Sequence, residues 1–509
     1  MSTPAVIRCG SQIRTHTEIR DRAARLAAAL AELGLGYEDR YAIVMRNEIG
    51  FVEATLAGAA LGAIPVPVNW HWTGDDLAYL LTDSDSRIVL AHTDLLPAVE
   101  AVLPPGATIV EAPVPQTLAE AYGFHRPALT TRYADTDELI GSHEPHTGTV
   151  PSPPLSVIYT SGTTGRPKGI LRQPVAPQDT ARLGELVVAG LGVGTARSTL
   201  VAAPLYHTAP NIHVMFTFAM GIDVEIMPRF HAEGLLRVVQ DRKIEHLQAV
   251  PTMFHRLLKL PAHIRESYDI SSLTGIVHAA APCPPEVKRA IIEWFGPIVH
   301  EYYGGSETGA AVLCDSAQWL AHPGTVGRAL GDSEVRILGT DGRELPPGTP
   351  GDIYIKPFSI WPDFTYLGND AERRAIEKDG FLTVGDIGYL DEEGFLYLSD
   401  RRNDMVISGG VNIYPAEIES CLHGLEGVAD VAVFGIPDPE FGEALAAHVQ
   451  LAPGATLGVE AIRAHVAHHL AKYKVPKVVV LEGALPREDT GKLFKRELKA
   501  PYWGSRADA

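Results

Sequence analysis

Apolar side chains recur at helical spacing at Ile19, Ala23, Leu26, Leu30 and Leu33, and Gly34 then breaks the pattern. This predicts an amphipathic helix that ends there. Short apolar runs at 41–45 and 63–68, bounded by charge or asparagine, read as buried strands. A second helical pattern covers 75–82 and a further strand pattern 87–91. Helices of this length between apolar strands predict a parallel sheet covered on both faces.

The alternation is interrupted at 141–154, a polar stretch rich in Pro, Gly and His that reads as a surface connection. Apolar residues resume at 155–159. From Gly331 to about Leu398 short strand patterns are punctuated by Asp341-Gly342 and Pro347-Gly348, a β-rich region. A charged stretch at 400–404 precedes a last segment in which helix and strand patterns mix. The main boundary is placed there, giving expected domains 1–402 and 403–509.

Charge narrows the function classes. Asp and Glu number 62 against 43 Lys and Arg, a net charge of −19. That excess repels phosphate backbones at long range and argues against a general nucleic-acid binder, while leaving room for a local nucleotide site. Cys9, Cys283, Cys314 and Cys421 are scattered with no C-x-x-C pair, which suggests a reducing compartment without a disulfide framework or a cysteine-based zinc site. No apolar run is long enough to span a membrane and the first residues lack a signal pattern, so the expected location is cytoplasmic.

The densest chemistry lies at 160–169, TSGTTGRPKG. Gly162, Gly165 and Gly169 let the backbone turn tightly, Thr160, Ser161, Thr163 and Thr164 supply hydroxyls, and Lys168 supplies charge, a composition suited to a polyphosphate. It is not a Walker A loop, because no Gly-Lys-Ser/Thr closes it. Three other features are weaker. His465, His468 and His469 share a helical pattern and offer metal-ligand chemistry, but read as an ordinary helix face. His143 and His146 fall in the connection, and the glycines of 190–194 lack the last glycine of a dinucleotide fingerprint and read as a turn.

Residues 160–169 resemble the phosphate loop of the adenylate-forming superfamily, which comprises acyl-CoA synthetases, peptide-synthetase adenylation domains and firefly-type luciferases. Four further motifs agree in order: YYGGSET at 302–308, TVGD at 383–386, DRRNDMVISGGVNIYPAEIE at 400–419 and PREDTGK at 486–492. The likeness covers nearly the whole chain. It implies an α/β fold, with a large N-terminal domain of two helix-covered sheets plus a β-barrel-like subdomain, then a small mobile α+β C-terminal domain. It also implies ATP, Mg²⁺ and CoA as cofactor and cosubstrates of an acid–CoA ligase.

Site roles follow from the same resemblance. Glu307, with Thr160, is implied as the magnesium site, since a hard cation takes oxygen ligands. Nucleotide contacts are implied for the phosphate loop, for Ala280, Ala281 and Pro282, and for Tyr302, Tyr303, Gly304 and Ser306, with Tyr303 offering an aromatic face to adenine. Ser306 stands where threonine is usual and keeps the hydroxyl. Asp386 would accept both ribose hydroxyls, with Arg401 beside it. Lys492 is implied as the catalytic lysine bridging carboxylate and α-phosphate, and Gly409 and Gly410 as the wall of the thiol channel. Asn403 takes the hinge position, where the family usually has Asp or Lys.

The acyl pocket is implied at His207, Asn211, Met215, His278, Ala279, Gly304 and Gly305, with His207 at a catalytic gate. Ala209-Pro210-Asn211 departs from the usual glycine-containing sequence. No acid suited to an amino-acid ammonium is evident, so a medium- to long-chain or bulky alicyclic monocarboxylic acid, steroid- or terpenoid-like, is expected. The competing readings are loading of a carrier-protein thiol, luciferase-like oxidation, a silent acyl- or nucleotide-binding protein, and an ATPase motor. The expected partners are the acid, ATP and CoA, and the oligomeric state, a homodimer included, stays open.

Overall fold

The computed structural model of the chain describes residues 4–148, 150, 154–160, 167–402, 404–408, 411–487 and 493–503. Ser161, Gly162, Thr163, Thr164 and Gly165 of the glycine-rich loop, and Asn403, Gly409, Gly410 and Lys492, lie outside the described residues.

The first predicted helix spans His16–Glu32 and buries Ile19, Ala23, Leu26 and Leu30. Its start is set by a capping box, in which Thr15 and Glu18 satisfy each other's backbone N–H groups. The predicted strands appear as Arg40–Val44, Ile64–Pro67 and Ser86–His92. With Thr108–Ala112 they form a four-stranded sheet paired parallel throughout. Helices Ile49–Leu61 and Gly74–Asp83 connect its strands. The glycines of 190–194 prove to be a helix stop: helix Thr180–Leu191 ends on Gly192 in the left-handed conformation at φ 61°.

A second sheet dominates the molecule. Among the described residues it has fourteen strands. Its parallel half runs Val299–Tyr303, Gly275–His278, His246–Ala249, Ser198–Val201, Asp223–Ile226 and Val6–Cys9, with Gln12–Thr15 added antiparallel at the edge. Beyond Val299–Tyr303 the pairing turns antiparallel through Val312–Cys314 and Thr325–Ala329 into the β-rich region of Leu396–Arg401, Phe381–Leu390, Gly351–Lys356 and Glu334–Leu338. Among the described residues the β-rich region continues the long sheet as a run of antiparallel strands.

A small antiparallel sheet of Ile158–Thr160, Lys168–Arg172 and Phe364–Tyr366 sits beside these. In the C-terminal segment, strands Val406–Ser408, Val411–Ile413, Val428–Asp438, Gly442–Leu451 and Val478–Glu482 form one sheet. Helices Pro415–His423 and Val459–His469 pack on it through Ile418, Leu422, Ile462 and Val466. Among the described residues no helix is long and apolar enough to cross a membrane.

A charge pair is buried where the parallel half meets the antiparallel extension. Lys288, fully buried on helix Pro285–Phe295, places Nζ 2.5 Å from Glu301 Oε2. Burial raises the Glu301 carboxyl above its usual range and the ammonium opposes that shift. Removing one partner strands the other charge. Lys288→Met is expected to lower stability by about 3–5 kcal/mol, and adding Glu301→Leu to recover most of the loss. Urea-unfolding midpoints of the two variants check this; equal losses in both would contradict the pairing argument.

Candidate active site

An open cleft of about 1600 Å³ brings together the motifs that are far apart in sequence. Thr160 and Lys168 reach it from the ends of two paired strands, so the chain leaves and re-enters the hairpin at the cleft wall. Ala279, Ala280, Ala281 and Pro282 follow strand Gly275–His278; Tyr302 lies within strand Val299–Tyr303, and Gly304, Gly305, Ser306 and Glu307 follow it. Asp386 and Arg401 arrive from neighbouring antiparallel strands whose register sets them opposite each other. Arg487 and Leu493, which flank 488–492, also line the cleft and pair through an isolated bridge.

The backbone carries some of the geometry. Ala280 holds φ at 75°, a conformation rare for a residue with a side chain. Such strain persists only where surroundings impose it, commonly at ligand sites. Gly304 has no substitute: a Cβ there would lie 1.7 Å from Gly309 O.

Each cleft carboxylate is held by a donor from elsewhere. Tyr366 donates its hydroxyl to Glu307 Oε1 at 2.9 Å, and Trp361 donates Nε1–H to the Glu307 carbonyl at 3.3 Å. Burial, then Glu307 itself, pushes the Tyr366 hydroxyl upward, so it stays a donor. Behind them the buried Arg172 guanidinium lies 4.9 Å from the Trp361 ring centroid. Desolvation pulls it down to about 10 against the opposing charges of Glu307 and Asp363. Tyr366, Trp361 and Arg172 escaped the sequence reading; no local pattern marks them, because strand pairing and loop packing bring them to Glu307.

Asp386 is held similarly, with the Tyr303 hydroxyl 2.8 Å from Oδ2 and Arg401 Nε 3.5 Å from Oδ1. Burial raises its carboxyl, opposed by Arg401 and the Tyr303 hydrogen bond. Tyr303 was expected to offer an aromatic face; instead it is buried, and its neighbour Tyr302 lines the cleft. Strand alternation explains the difference, since successive side chains point to opposite faces. Lys168 is ion-paired with Glu372. Ser306 shares a 2.8 Å hydroxyl contact with Thr208.

The implied acyl-pocket residues divide. His207, Ala279, Gly304 and Gly305 line the cleft. Asn211, Met215 and His278 do not. On helix Thr208–Ala219 the cleft is lined by Thr208, Ala209, Pro210 and Ile212, whereas Met215 packs into the core that contains Val214 and Phe218. Asn211 is buried and donates to Leu205 O at 3.1 Å. His278 is fully buried, with Nε2 3.7 Å from Glu301 Oε2 and its ring against Phe254. Beside Asn403, Asp400 accepts from Ala416 N and Asp404 pairs with Lys499. Burial lifts the Asp400 carboxyl to about 6, with Lys495 opposing.

Replacing Tyr303 by Phe removes a donor to a carboxylate, an interaction worth roughly 1.5–3 kcal/mol. The variant is expected to weaken adenine-nucleotide binding by about tenfold or more. Because the lost bond had opposed protonation of Asp386, the acid limb of the binding profile should move to higher pH. Nucleotide titration across pH checks both; an unmoved acid limb would count against Asp386 as the acceptor.

Comparison with known proteins identifies the family. The model of the AMP-binding enzyme family matches residues 1–360, and that of the AMP-binding enzyme C-terminal domain matches 417–492. A long-chain-fatty-acid–CoA ligase of Mycobacterium tuberculosis is 30% identical over 488 residues, covering 96% of this chain and 93% of the relative. A feruloyl-CoA synthase of an Amycolatopsis species is 31% identical, covering 97% and 95%. Among solved structures, ATP-bound MatB from Rhodopseudomonas palustris superposes with a TM-score of 0.84 at 26% identity, covering 99% of this chain and 97% of that one. MenE of Bacillus subtilis, an o-succinylbenzoate CoA synthetase in complex with its acyl-adenylate intermediate, gives 0.80 at 26%, covering 97% and 95%. The chain belongs to the AMP-binding enzyme family, as an ATP-dependent, adenylate-forming acid–CoA ligase.

Proposed function

We propose that the acid activated by this enzyme is an apolar monocarboxylic acid, medium- to long-chain or bulky and alicyclic, of the steroid or terpenoid kind. One observation carries this reading. Leu186, Val187, Leu191, Ile212, Phe358 and Trp361 belong to one apolar cluster that lines the cleft, and Trp361 joins this wall to Glu307. An acyl group seated on the wall would present its carboxylate beside the magnesium and phosphate end, and burying that group supplies about 25 cal/mol per Å² of apolar surface. Family membership alone leaves the acid open, since the relatives are named for a long-chain fatty acid and for feruloyl-CoA.

In this reading a carboxylate oxygen attacks the α-phosphorus of ATP, the bond to pyrophosphate breaks, and the CoA thiolate then attacks the acyl carbon and expels AMP. Glu307 and Thr160 would hold magnesium, which supplies charge neutralisation at the phosphates when bound. Tyr366 and Trp361 fix the orientation of Glu307. Asp386, oriented by Tyr303, would accept the ribose hydroxyls beside Arg401, and Tyr302 gives the cleft an aromatic surface near Ala280, Ala281 and Pro282. His207 stands at the acyl end. Lys492 would neutralise the approach of two anions, and Gly409 and Gly410 would leave room for the thiol arm. Residues 403–509 would turn as a unit about Asn403 against 1–402 between the two half-reactions.

The test is acid-dependent pyrophosphate release across a panel from short chains to polycyclic acids, each with and without CoA, with thioester detected by mass. Turnover confined to apolar long-chain or polycyclic acids, with the thioester appearing, is the expected result. A preference for short or polar acids would refute the substrate assignment, and acid-dependent pyrophosphate without thioester would move the acceptor to a carrier-protein thiol. Lys492→Ala should lose on the order of a hundred- to thousand-fold in adenylation, with ATP binding retained in a direct titration. Near-normal pyrophosphate release would remove Lys492 from the chemistry.

A further inference from the structure

The helix pair of the C-terminal segment carries a side-chain cluster that the ligation chemistry does not use. Cys421 on helix Pro415–His423 and His465 and His469 on helix Val459–His469 each place a ligand-type atom within 4.8 Å of the other two. The histidines are four apart on one helix, the spacing that sets two imidazoles over the same face. The sequence pattern alone pointed to His468 as well, and the scattered cysteines argued against a cysteine-containing zinc site, since Cys421 is 44 residues from His465.

Hydrogen bonding fixes the tautomer of both rings. His465 Nε2 lies 3.1 Å from the Cys421 carbonyl, and His469 Nδ1 lies 2.9 Å from the His465 carbonyl. A carbonyl only accepts, so each of these nitrogens carries the proton and donates. In the neutral form of each ring that leaves the lone pair on the other nitrogen, Nδ1 of His465 and Nε2 of His469. A second N–H committed to a backbone carbonyl is a common feature of metal-ligating histidines. The two rings sit side by side, with centroids 4.3 Å apart. The scaffold beneath is rigid, because Ile418, Leu422, Ile462 and Val466 lock the two helices into one core.

We propose that Cys421, His465 and His469 form a three-ligand site for a zinc-type divalent cation, with solvent completing the coordination. One thiolate and two imidazoles are the donor set that selects zinc over magnesium or calcium. Tetrahedral zinc with bonds of about 2.0–2.3 Å sets its ligands about 3.3–3.8 Å apart, so the cluster closes by roughly an ångström, within reach of side-chain rotation. Burial and the neighbouring Glu417 carboxylate raise the free thiol above its ordinary value, and metal binding would release that proton. Glu417 itself is committed to Lys474 at 2.5 and 2.6 Å. The site is separate from the cleft: Glu417, Ser420 and His423 of the same helix line the cleft, and Cys421 does not.

The experiment is a cobalt titration of the reduced, metal-free full chain without nucleotide, read by absorption. One equivalent giving a thiolate-to-cobalt charge-transfer band and the visible bands of tetrahedral cobalt, reversed by zinc, is the expected result. Cys421→Ser should abolish the charge-transfer band. His469→Ala, at an exposed position, should weaken binding by at least the roughly 10–100-fold that loss of a mere outer partner costs. His468→Ala should leave binding intact, and zinc should raise the melting temperature of the parent chain but not of Cys421→Ser. Absence of the thiolate band, its persistence in Cys421→Ser, or equal loss in His468→Ala would overturn the site. None of these readouts depends on which acid the enzyme activates.

Discussion

Strand Val299–Tyr303 is the constraint on which the cleft depends. One of its edges is bonded in parallel to Gly275–His278 and the other antiparallel to Val312–Cys314. It is therefore held on both sides, and its register cannot slip without turning every side chain to the wrong face. The residues that leave its end, 304–307, start from a fixed point at the junction of the two halves of the long sheet. The buried Lys288–Glu301 pair lies within this seam, so the site rests on a place where both backbone and charge are fully committed.

The cleft shows a common pattern of support. Glu301 is held by Lys288, Glu307 by Tyr366 and Asp386 by Tyr303. In each case the partner lies on another element, and each carboxylate is fixed before any ligand arrives. Preorganised charge of this kind does not have to reorient during a reaction, which is where much of its catalytic value lies.

The elements were legible where local chemistry decides them. Helix His16–Glu32 and the parallel strands near it follow from periodicity, and the contiguous motifs named Thr160, Lys168, Glu307, Asp386 and Arg401, all of which meet in the cleft. What stayed hidden depends on tertiary arrangement. Which face of helix Thr208–Ala219 meets the cleft is a matter of phase against two competing apolar surfaces, so Ile212 was missed and Met215 misplaced. That Tyr302 lines the cleft while Tyr303 is buried hinges on one step of strand alternation. Tyr366 and Trp361 reach Glu307 across 59 and 54 residues, a closeness no periodicity encodes. The β-rich region was legible from its short strands and Asp-Gly and Pro-Gly turns, and its strands lengthen the long sheet.

The far edge of that sheet bears on how the chain is made. Val6–Cys9 pairs in parallel with Asp223–Ile226, and Val6 N donates to the Asp223 carboxylate across 217 residues. During synthesis at roughly 5–20 residues per second, the partner strand emerges on the order of ten to forty seconds later. For that interval the strand has only the hairpin partner Gln12–Thr15 on one side, and its other edge is exposed. Helix His16–Glu32 and the four-stranded sheet, complete by Ala112, can assemble in the meantime. The parallel edge of Val6–Cys9 is thus closed only after strand Asp223–Ile226 has been made, well after the four-stranded sheet is complete.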